Sequence, residues 1–517
     1  MTMNTQGRPS QPSASSAHTS VPSAHRGMML EEPLLFEMGA PGRYGVDLPN
    51  IPDRRERLGG LKREGQIGLP GLSEPQVARH FTRLSQKNFC IDSVFYPLGS
   101  CTMKHNPRLN EKVARLPGFA DLHPLQPVGT TQGALAAIHA LGEWLLALTG
   151  LHAVTLTPGA GAHGEFCGMA TIKAALAARG EGPTRTRVLA PESAHGTNPA
   201  TAAMLGFTLD PVPANAEGRV DLHALNAKLG SDVAAIMITN PNTCGLFERD
   251  LPTIAEAVHR AGAFVYCDGA NFNALVGRVK PADLGIDAMH INLHKTFSTP
   301  HGGGGPGSGP VVVTKQLAPF LPLPRIESLP GGFMLVEDAA GPGATQAFGR
   351  LKAFHGQMGM FVRALAYILS HGADGLRQVS GDAVLNANYI LASLQDALSA
   401  PYPGPCMHEA LFDDRFLKDT GATTFDLAKG LIDKGFHPMT MYFPLVVHGA
   451  MLIEPTETED KTTLDGFIAA LRELAQMAKE GQAEALRQAP RHTPRRRLDE
   501  TRAAREPILR WKREGRL

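Results

Sequence analysis

The residues of this chain that could do chemistry begin with a carboxylate and a lysine, each placed just after a short apolar segment. Asp268 follows residues 263–267, and Lys295 follows residues 289–293 and precedes a glycine-rich stretch. Schiff-base catalysis needs an amine that holds an aldehyde, and a pyridoxal 5'-phosphate (PLP) ring needs a carboxylate that keeps its nitrogen protonated. Lys295 and Asp268 carry those two groups. Because lysines after strands and Asp-Gly turns are also common at protein surfaces, spacing alone leaves this assignment open.

The segment NLHKTFSTPHGGGGPGSGP, residues 292–310, resembles the cofactor-lysine segment of the PLP-dependent glycine dehydrogenase (decarboxylating) family, the P-proteins of the glycine cleavage system. Further segments share the resemblance: YPLGSCTMKHNP (96–107), TPGAGAHGE (157–165), SAHGTNP (193–199), TNPNTCGLFE (239–248), AVLNANY (383–389), GFHPMTMYFPL (435–445), IEPTETE (453–459) and TPRRRLDETRAAR (493–505). Together they run through most of the chain beyond about residue 55. The chain resembles the second subunit of the split bacterial form, the subunit that carries the cofactor lysine.

The resemblance implies a fold, a reaction and partners. The fold would be that of PLP-dependent transferases of fold type I, an α/β protein with a mostly parallel sheet in its large domain and a smaller C-terminal α+β domain. The reaction would be the oxidative decarboxylation of glycine. PLP would be held as a Schiff base on Lys295, CO2 would be released, and the aminomethyl group would pass to the lipoyl arm of the H-protein. The partners would be that H-protein and a companion P-protein subunit 1, in an α2β2 assembly.

A second glycine-rich turn, residues 157–165, lies between a predicted strand and a predicted helix. Glycines allow the backbone to approach a ligand closely, and the N–H groups at a helix start favour an anion. Gly161 and Ala162 are therefore the predicted contacts to the cofactor phosphate. The glycines at 302–305 come shortly after Lys295, and this position predicts backbone that passes close to the cofactor or substrate.

Three further side chains are candidates for the cofactor site. His195, in SAHGTNP, resembles the residue that stacks on the pyridine ring in related PLP decarboxylases, and this resemblance predicts that it is a catalytic residue. The alternative for His195 is a helix cap, because polar residues and a proline follow it. Thr243 and His294 are expected to contact the cofactor's ring oxygen or phosphate.

Composition and charge exclude several classes of protein. The formal net charge of +1 argues against a broad nucleic-acid surface, and no apolar run approaches the roughly 20 residues that span a bilayer. Six cysteines without a CxxC pair or a histidine cluster at metal-ligand spacing predict reduced thiols, no metal and a cytoplasmic protein. The first thirty residues lack the apolar core of a secretory signal and are predicted to be disordered, with a transit peptide as the alternative.

Length and periodicity predict the domain organisation. A chain of 517 residues suggests two or three domains. Apolar residues at three- and four-residue intervals predict helices at 132–148, 351–370 and 382–398, and strands that alternate with helices across 153–293 predict a sheet covered on both faces. The expected divisions are 1–30 as a disordered extension, 31–118 as an N-terminal segment, 119–343 as the large PLP-binding domain, 344–490 as the small domain and 491–517 as a basic tail. The tail is expected to be solvated or, alternatively, to dock on the companion subunit.

Three other functions stay open. The same PLP site could serve another fold-type I reaction, such as decarboxylation of a larger amino acid or hydroxymethyl transfer, since the sequence does not show the size of the pocket. A non-catalytic structural subunit, like the lysine-lacking half of the family, is disfavoured by Lys295 within its intact motif. A nucleotide-binding protein is suggested by Gly159, Gly161 and Gly164, which spell GxGxxG, but that motif alone is weak evidence.

Overall fold

A computed structural model describes residues 31–49, 59–65, 67–302, 307–339 and 346–510. The predicted extension at 1–30 and residues 303–305 of the glycine run lie outside the described residues. The helices are α1 (Leu35–Met38), α2 (Glu74–Gln86), α3 (Arg108–Ala114), α4 (Pro117–Ala120), α5 (Gln132–Thr149), α6 (Gly161–Ala178), α7 (Thr197–Met204), α8 (Leu222–Lys228), α9 (Leu251–Arg260), α10 (Leu293–Thr296), α11 (Met358–Leu394), α12 (Thr424–Asp433), α13 (Lys461–Lys479), α14 (Ala483–Arg487) and α15 (Glu500–Arg505). None of these described helices has both the length and the apolar composition that crossing a bilayer requires.

A seven-stranded sheet forms the centre of the larger domain. Its strands are β1 (Ala153–Thr155), β2 (Arg187–Pro191), β3 (Thr208–Val212), β4 (Val233–Thr239), β5 (Phe264–Gly269), β6 (Ala288–Ile291) and β7 (Val311–Val313), in the spatial order β1-β7-β6-β5-β4-β2-β3. The pairs from β3 through β2, β4 and β5 to β6 are parallel, whereas β7 runs antiparallel to both of its neighbours. Six strands therefore end at the same edge, the edge at which ligands of parallel sheets bind. A separate hairpin, β8 (Arg325–Leu329) and β9 (Gly332–Val336), follows.

Helices cover both faces of this sheet. Successive residues of β5 point to opposite sides, as the pleat of a strand requires. Val265 belongs to a core that includes Val258 of α9, and Tyr266 belongs to a second core that includes Ile172 of α6. The parallel strands are thus buried on both faces, which is the α/β arrangement that the alternating sequence pattern predicts.

Helix α5 shows how apolar spacing builds the first of these cores. Leu141 and Leu145 lie one turn apart on its buried face, and neither is exposed to solvent. The helix ends at Gly150, whose φ of 72° lies in the left-handed region that glycine adopts without strain. The helix predicted at 132–148 is confirmed as Gln132–Thr149.

A smaller antiparallel sheet organises the C-terminal part of the chain. Its strands are β10 (Ala410–Phe412), β11 (Thr440–Met441) and β12 (Met451–Ile453), in the order β10-β12-β11. Phe412, Leu427 of α12 and Phe467 of α13 form the centre of a core of its own. The predicted architecture, a large α/β domain with a mostly parallel sheet and a smaller α+β domain, is confirmed, while the exact domain boundaries stay a prediction.

The long helix α11 joins the two domains. Phe361 packs in the core of the large domain, whereas Ala387 packs in the core of the small domain. The helix is broken at Gly372, which has a φ of 63° and a ψ of −173°. The two helices predicted at 351–370 and 382–398 are therefore parts of one interrupted helix.

A segment without regular secondary structure, residues 97–105, connects the small domain to the edge of the large sheet, and we call it the strap. Leu98 pairs with Ile453 of β12 in an antiparallel bridge. At the other end, the buried Nζ of Lys104 donates to the carbonyl oxygen of Thr296 at 2.8 Å. The strap therefore ties the small domain to the turn that follows β6.

Candidate active site

A cavity of about 120 Å³ opens at the carboxyl edge of the large sheet, where the ends of β4, β5 and β6 meet the first turn of α6 and the strap. The structure brings six of the seven predicted site residues to its wall: Gly161, Ala162, His195, Thr243, Asp268 and Lys295. The seventh, His294, does not line it. Its ring packs edge-on against His301, with the ring centroids 4.8 Å apart, and burial lowers its pKa to about 3.

Lys295 lies in α10, a short turn directly after β6, and its side chain is buried. Its Nζ donates a hydrogen bond to the carbonyl oxygen of Ser100 in the strap, at 2.9 Å. Ser100 has a left-handed φ of 64°, which is uncommon for a residue other than glycine. The strap thus supplies a fixed acceptor for the lysine amine.

Asp268 lies near the end of β5 and is only 4% exposed. Its Oδ1 accepts a hydrogen bond from the backbone amide of Ala270 at 2.9 Å and lies 3.3 Å from Nε2 of His290. Burial alone would raise the pKa of this carboxyl, but His290 and the Ala270 amide hold the pKa below its ordinary value. Asp268 is therefore a stable anion that faces the cavity.

Two buried rings, joined by a hydrogen bond, lie behind Asp268. The hydroxyl oxygen of Tyr266 lies 2.6 Å from Nδ1 of His290. Burial raises the pKa of Tyr266 well above its usual value and lowers the pKa of His290, so the phenol keeps its proton and the imidazole is neutral. Tyr266 therefore donates to Nδ1, and the imidazole proton is on Nε2, the nitrogen that lies 3.3 Å from Asp268 Oδ1.

His195 and Thr243 lie on the loops that follow β2 and β4. Nδ1 of His195 accepts the backbone N–H of Thr197 at 3.2 Å, but the N-cap residue of α7 is Gly196 rather than His195. The ring of His195 lines the cavity and lies edge-on to Phe443, with the ring centroids 5.7 Å apart. His195 is an exposed residue, but partial desolvation of its ring still lowers its pKa, which favours the neutral ring. The Thr243 hydroxyl donates to the carbonyl of Ser193, so its oxygen lone pairs remain for a ligand.

The first turn of α6 is suited to an anion. The amides of Gly161 and Ala162 stand at the start of an 18-residue helix, where backbone N–H groups have no partner within the helix. A Cβ at Gly161 would collide with Oδ1 of Asn292, so this position requires glycine. Asn292 Oδ1 and Thr239 Oγ1 are buried without a hydrogen-bond partner among the described residues, and both residues line the cavity. Such atoms indicate that a polar ligand completes the site.

Glu165, also on α6, is a cavity residue that sequence reasoning missed, although it closes the motif TPGAGAHGE. Nδ2 of Asn198 donates to Glu165 Oε1 at 2.9 Å and lies 3.3 Å from Asp268 Oδ2. Burial, and then the charge of Asp268, raise the pKa of Glu165 to about 7. Of these two neighbouring carboxyl groups, Asp268 stays ionised and Glu165 holds a proton up to about neutral pH.

This pKa predicts that the stability of the PLP-free chain depends on pH. The folded pKa of Glu165 lies above its ordinary value of 4.5, so the folded chain binds an extra proton and loses stability as the pH rises from about 4.5 to about 7. Residue 165 of a Glu165→Gln chain cannot ionise. We therefore expect the free energy of unfolding of this chain, relative to that of wild type, to increase by up to about 3 kcal/mol across that pH range. Denaturant titrations of both chains at several pH values measure the gain.

A Glu192→Gln chain is the control for that titration, because Glu192 is an exposed glutamate. It is expected to follow the wild-type profile. A Glu165→Gln chain with the same pH profile as wild type would show that Glu165 is already ionised at low pH.

Other residues of the cavity wall were also missed: Ser100, Thr197, Thr239, Ala270, Asn271, His290 and Asn292. Most of them stand within a few positions of a predicted site residue in the sequence. That proximity is the one feature of the sequence from which they could have been predicted. Ser100 belongs to the segment YPLGSCTMKHNP, but nothing in the sequence indicates which residue of that segment meets Lys295.

Comparisons with known proteins agree with this architecture. A family model described as "Glycine dehydrogenase, C-terminal domain" matches residues 379–494, and one described as "Aminotransferase class-V" matches residues 167–324.

Two solved structures are similar in fold. An inhibitor-bound glycine decarboxylase (P-protein) of the glycine cleavage system has a TM-score of 0.68 at 24% identity, over 80% of this chain and 92% of that chain. A glutamate decarboxylase of Lactobacillus brevis has a TM-score of 0.61 at 14% identity, over 84% and 96%. The chain has the α/β fold of PLP-dependent enzymes of fold type I.

Curated relatives match along nearly the whole chain. A probable glycine dehydrogenase (decarboxylating) subunit 2 of Caulobacter vibrioides is 63% identical over 516 residues, which cover 99% of this chain and 98% of the relative. A protein of the same name from Listeria monocytogenes is 49% identical over 494 residues, which cover 94% and 100%. With this identity over almost the full length of both chains, the chain belongs to the family of glycine dehydrogenase (decarboxylating) subunit 2 proteins.

Proposed function

We propose that this chain is the PLP-binding subunit of a glycine decarboxylase. One observation carries the proposal: an amine, an ionised carboxylate and the start of a helix converge in one cavity of a chain that is 63% identical to a probable glycine dehydrogenase subunit 2. The substrate is glycine, the products are CO2 and an aminomethyl group, and the acceptor is the lipoyl disulfide of the H-protein.

The residues of the cavity fit PLP. Lys295 would hold the aldehyde carbon, Asp268 the ring nitrogen, and the amides of Gly161 and Ala162 the phosphate. The ring of His195 is neutral and forms part of the same wall, where it can lie against the cofactor ring. When bound as a Schiff base to Lys295, PLP supplies the electron sink that decarboxylation of an amino acid needs.

The residues of the chain contribute positions and protons. Asp268 keeps its negative charge and is held by hydrogen bonds from the Ala270 amide and from Nδ2 of Asn198, so it can hold a proton on the cofactor's nitrogen. The Ser100 carbonyl keeps the Lys295 amine at the cavity wall when that amine is free. The two electrons of the broken C–C bond reduce the lipoyl disulfide: one sulfur takes the aminomethyl carbon and the other becomes a thiol.

The partners follow from the relatives rather than from the cavity. The relatives are named as subunit 2, which supports a companion P-protein subunit 1, and we propose an α2β2 assembly with it. The lipoylated H-protein is the proposed carrier. All six cysteines of the chain are free thiols, which suits the reducing cytoplasm that we propose for the enzyme.

The exchange of the glycine carboxyl group with labelled bicarbonate tests the proposal. Purified chain with PLP would be assayed alone, with the companion subunit, with lipoylated H-protein, and with both. We expect exchange when both partners are present, and loss of exchange when glycine is replaced by a larger amino acid. A visible Schiff base without exchange under any condition would leave a PLP enzyme with a different substrate.

A further inference from the structure

Three ionisable side chains of the small domain meet in its interior, beside the strap. His408 and Glu409 lie just before β10, and Glu454 lies just after β12. All three are at most 1% exposed. Nε2 of His408 lies 3.9 Å from Glu409 Oε2 and 4.0 Å from Glu454 Oε1. Both ring nitrogens of His408 and the Oε2 atoms of both glutamates have no hydrogen-bond partner among the described residues.

The charges in this cluster do not balance if both glutamates are ionised. No arginine or lysine forms an ion pair with Glu409 or Glu454 in the described part of the chain. Burial raises the pKa of both carboxyl groups, and this effect outweighs the charge of Lys295, which lowers both. Glu409 raises the pKa of Glu454 further. Burial also lowers the pKa of His408 to about 3, so the imidazole is neutral. Oxygens of the two carboxyl groups and a ring nitrogen of His408 lie within 4.8 Å of one another, so one proton on the pair leaves a single charge and removes most of the cost of burying both groups.

The other oxygen of each carboxyl group binds the strap. Glu409 Oε1 accepts the backbone N–H of Ser100, and Glu454 Oε1 accepts the hydroxyl of Thr102. Ser100 is the residue whose φ of 64° is uncommon outside glycine, so its conformation depends on such contacts. The carbonyl of this same residue receives the Lys295 amine at 2.9 Å.

We propose that Glu409 and Glu454 are positioning residues for Lys295: they share one proton and, through Ser100 and Thr102, hold the strap so that its carbonyl binds the lysine amine. This inference rests on the proposed role of Lys295 in holding PLP. Neither glutamate touches the cofactor or the substrate. Their effect is to keep the Lys295 amine in place whenever that amine is not bonded to the cofactor.

The test uses the full chain stripped of PLP, as wild type, Glu409→Ala and Glu409→Gln. Glutamine keeps an oxygen for the Ser100 amide, and its NH2 group can donate to Glu454 in place of the shared proton. We expect Glu409→Ala to speed hydrogen exchange in the peptide that contains Ser100 by about tenfold, and to slow Schiff-base formation with added PLP by a similar factor. Glu409→Gln should stay within about twofold of wild type in both measurements.

An Asp287→Ala chain is the matched control. Asp287 is also a buried carboxylate that accepts a backbone amide, that of Val265 at 2.8 Å, but it lies before β6 at the far edge of the sheet. Its loss should lower the melting temperature without slowing Schiff-base formation. If Asp287→Ala slowed that reaction as much as Glu409→Ala, the effect would be general destabilisation, and the proposal would be overturned. If Glu409→Ala does not fold, Thr102→Val removes one strap contact at nearly constant volume and should slow the reaction severalfold.

The shared proton has its own readout. A difference infrared spectrum at neutral pH, wild type minus Glu409→Gln, should contain the carbonyl band of one buried carboxylic acid, and the difference with Glu454→Gln should contain the same band. The signal of Glu165, which also holds a proton near neutral pH, cancels in these differences. Absence of the band, or a metal ion found in equal proportion to the chain and lost in His408→Ala, would overturn the shared proton and make the cluster a metal site. Amide hydrogen exchange at Ser100 can be measured without the cofactor. It therefore distinguishes a failure of this inference from a failure of Lys295 to bind PLP.

Discussion

A Lys295→Ala chain is expected to bind no PLP as a Schiff base and to lose carboxyl exchange from glycine. Lys295 is the lysine on the cavity wall, and no other described lysine lines it. A positioned group that transfers protons also contributes about 10²–10⁴-fold to a rate, so the loss should be at least that large. The absorbance of the Schiff base and the exchange of labelled bicarbonate, both with the companion subunit and H-protein present, measure the two effects.

A Lys315→Ala chain is the control, because Lys315 is exposed and lies outside the cavity. It should keep both the absorbance and the exchange. Among the described residues, the Lys295 side chain makes one hydrogen bond, to Ser100, so its loss should change the melting temperature of the PLP-free chain little. Borohydride reduction of the wild-type chain should fix the cofactor on residue 295. Cofactor fixed on a different lysine, or bicarbonate exchange that persists in Lys295→Ala, would contradict the assignment of Lys295 as the residue that holds PLP.

Local patterns were sufficient for the elements that carry Asp268 and Lys295. Strand β5 is a run of apolar residues that follows a helix and ends in an Asp-Gly pair, and β6 is a similar run before the lysine. A buried parallel strand must be apolar on both faces, so its sequence is continuous rather than alternating. That physical requirement is why the predicted segments 263–267 and 289–293 lie within a few residues of the observed strands.

Elements whose form depends on distant contacts were not predictable in this way. Strand β7 has three residues, follows a glycine-rich stretch and is antiparallel to its neighbours, so its pairing is decided by β1 and β6 rather than by its own sequence. The contact of Ser100 with Lys295 joins residues 195 positions apart. The glutamates that bind the strap come from the small domain, and no spacing rule connects them to a lysine in the large domain.

The second large effect is expected for Asp268→Asn. Asparagine keeps the shape of the side chain and an oxygen for the Ala270 amide, so PLP should still bind through Lys295 and the first turn of α6. The negative charge is lost, and a neutral amide no longer favours a proton on the cofactor's nitrogen. A charged hydrogen bond contributes about 1.5–3 kcal/mol, so turnover should fall roughly tenfold to a hundredfold or more while Schiff-base absorbance persists.

The structure also offers a control that makes the same chemical change elsewhere. Asp287→Asn neutralises a buried carboxylate at the opposite edge of the sheet, where the carboxylate pairs with His259 at 2.8 Å. Its expected effect is on the melting temperature and not on carboxyl exchange. If Asp268→Asn turned over at the wild-type rate, the cofactor would not need its protonated nitrogen. If both variants lost turnover equally, the loss would reflect weakened folding, because only Asp268 lies on the cavity wall. A selective loss in Asp268→Asn, with PLP still bound, is the outcome that the ionised and rigidly held carboxylate requires.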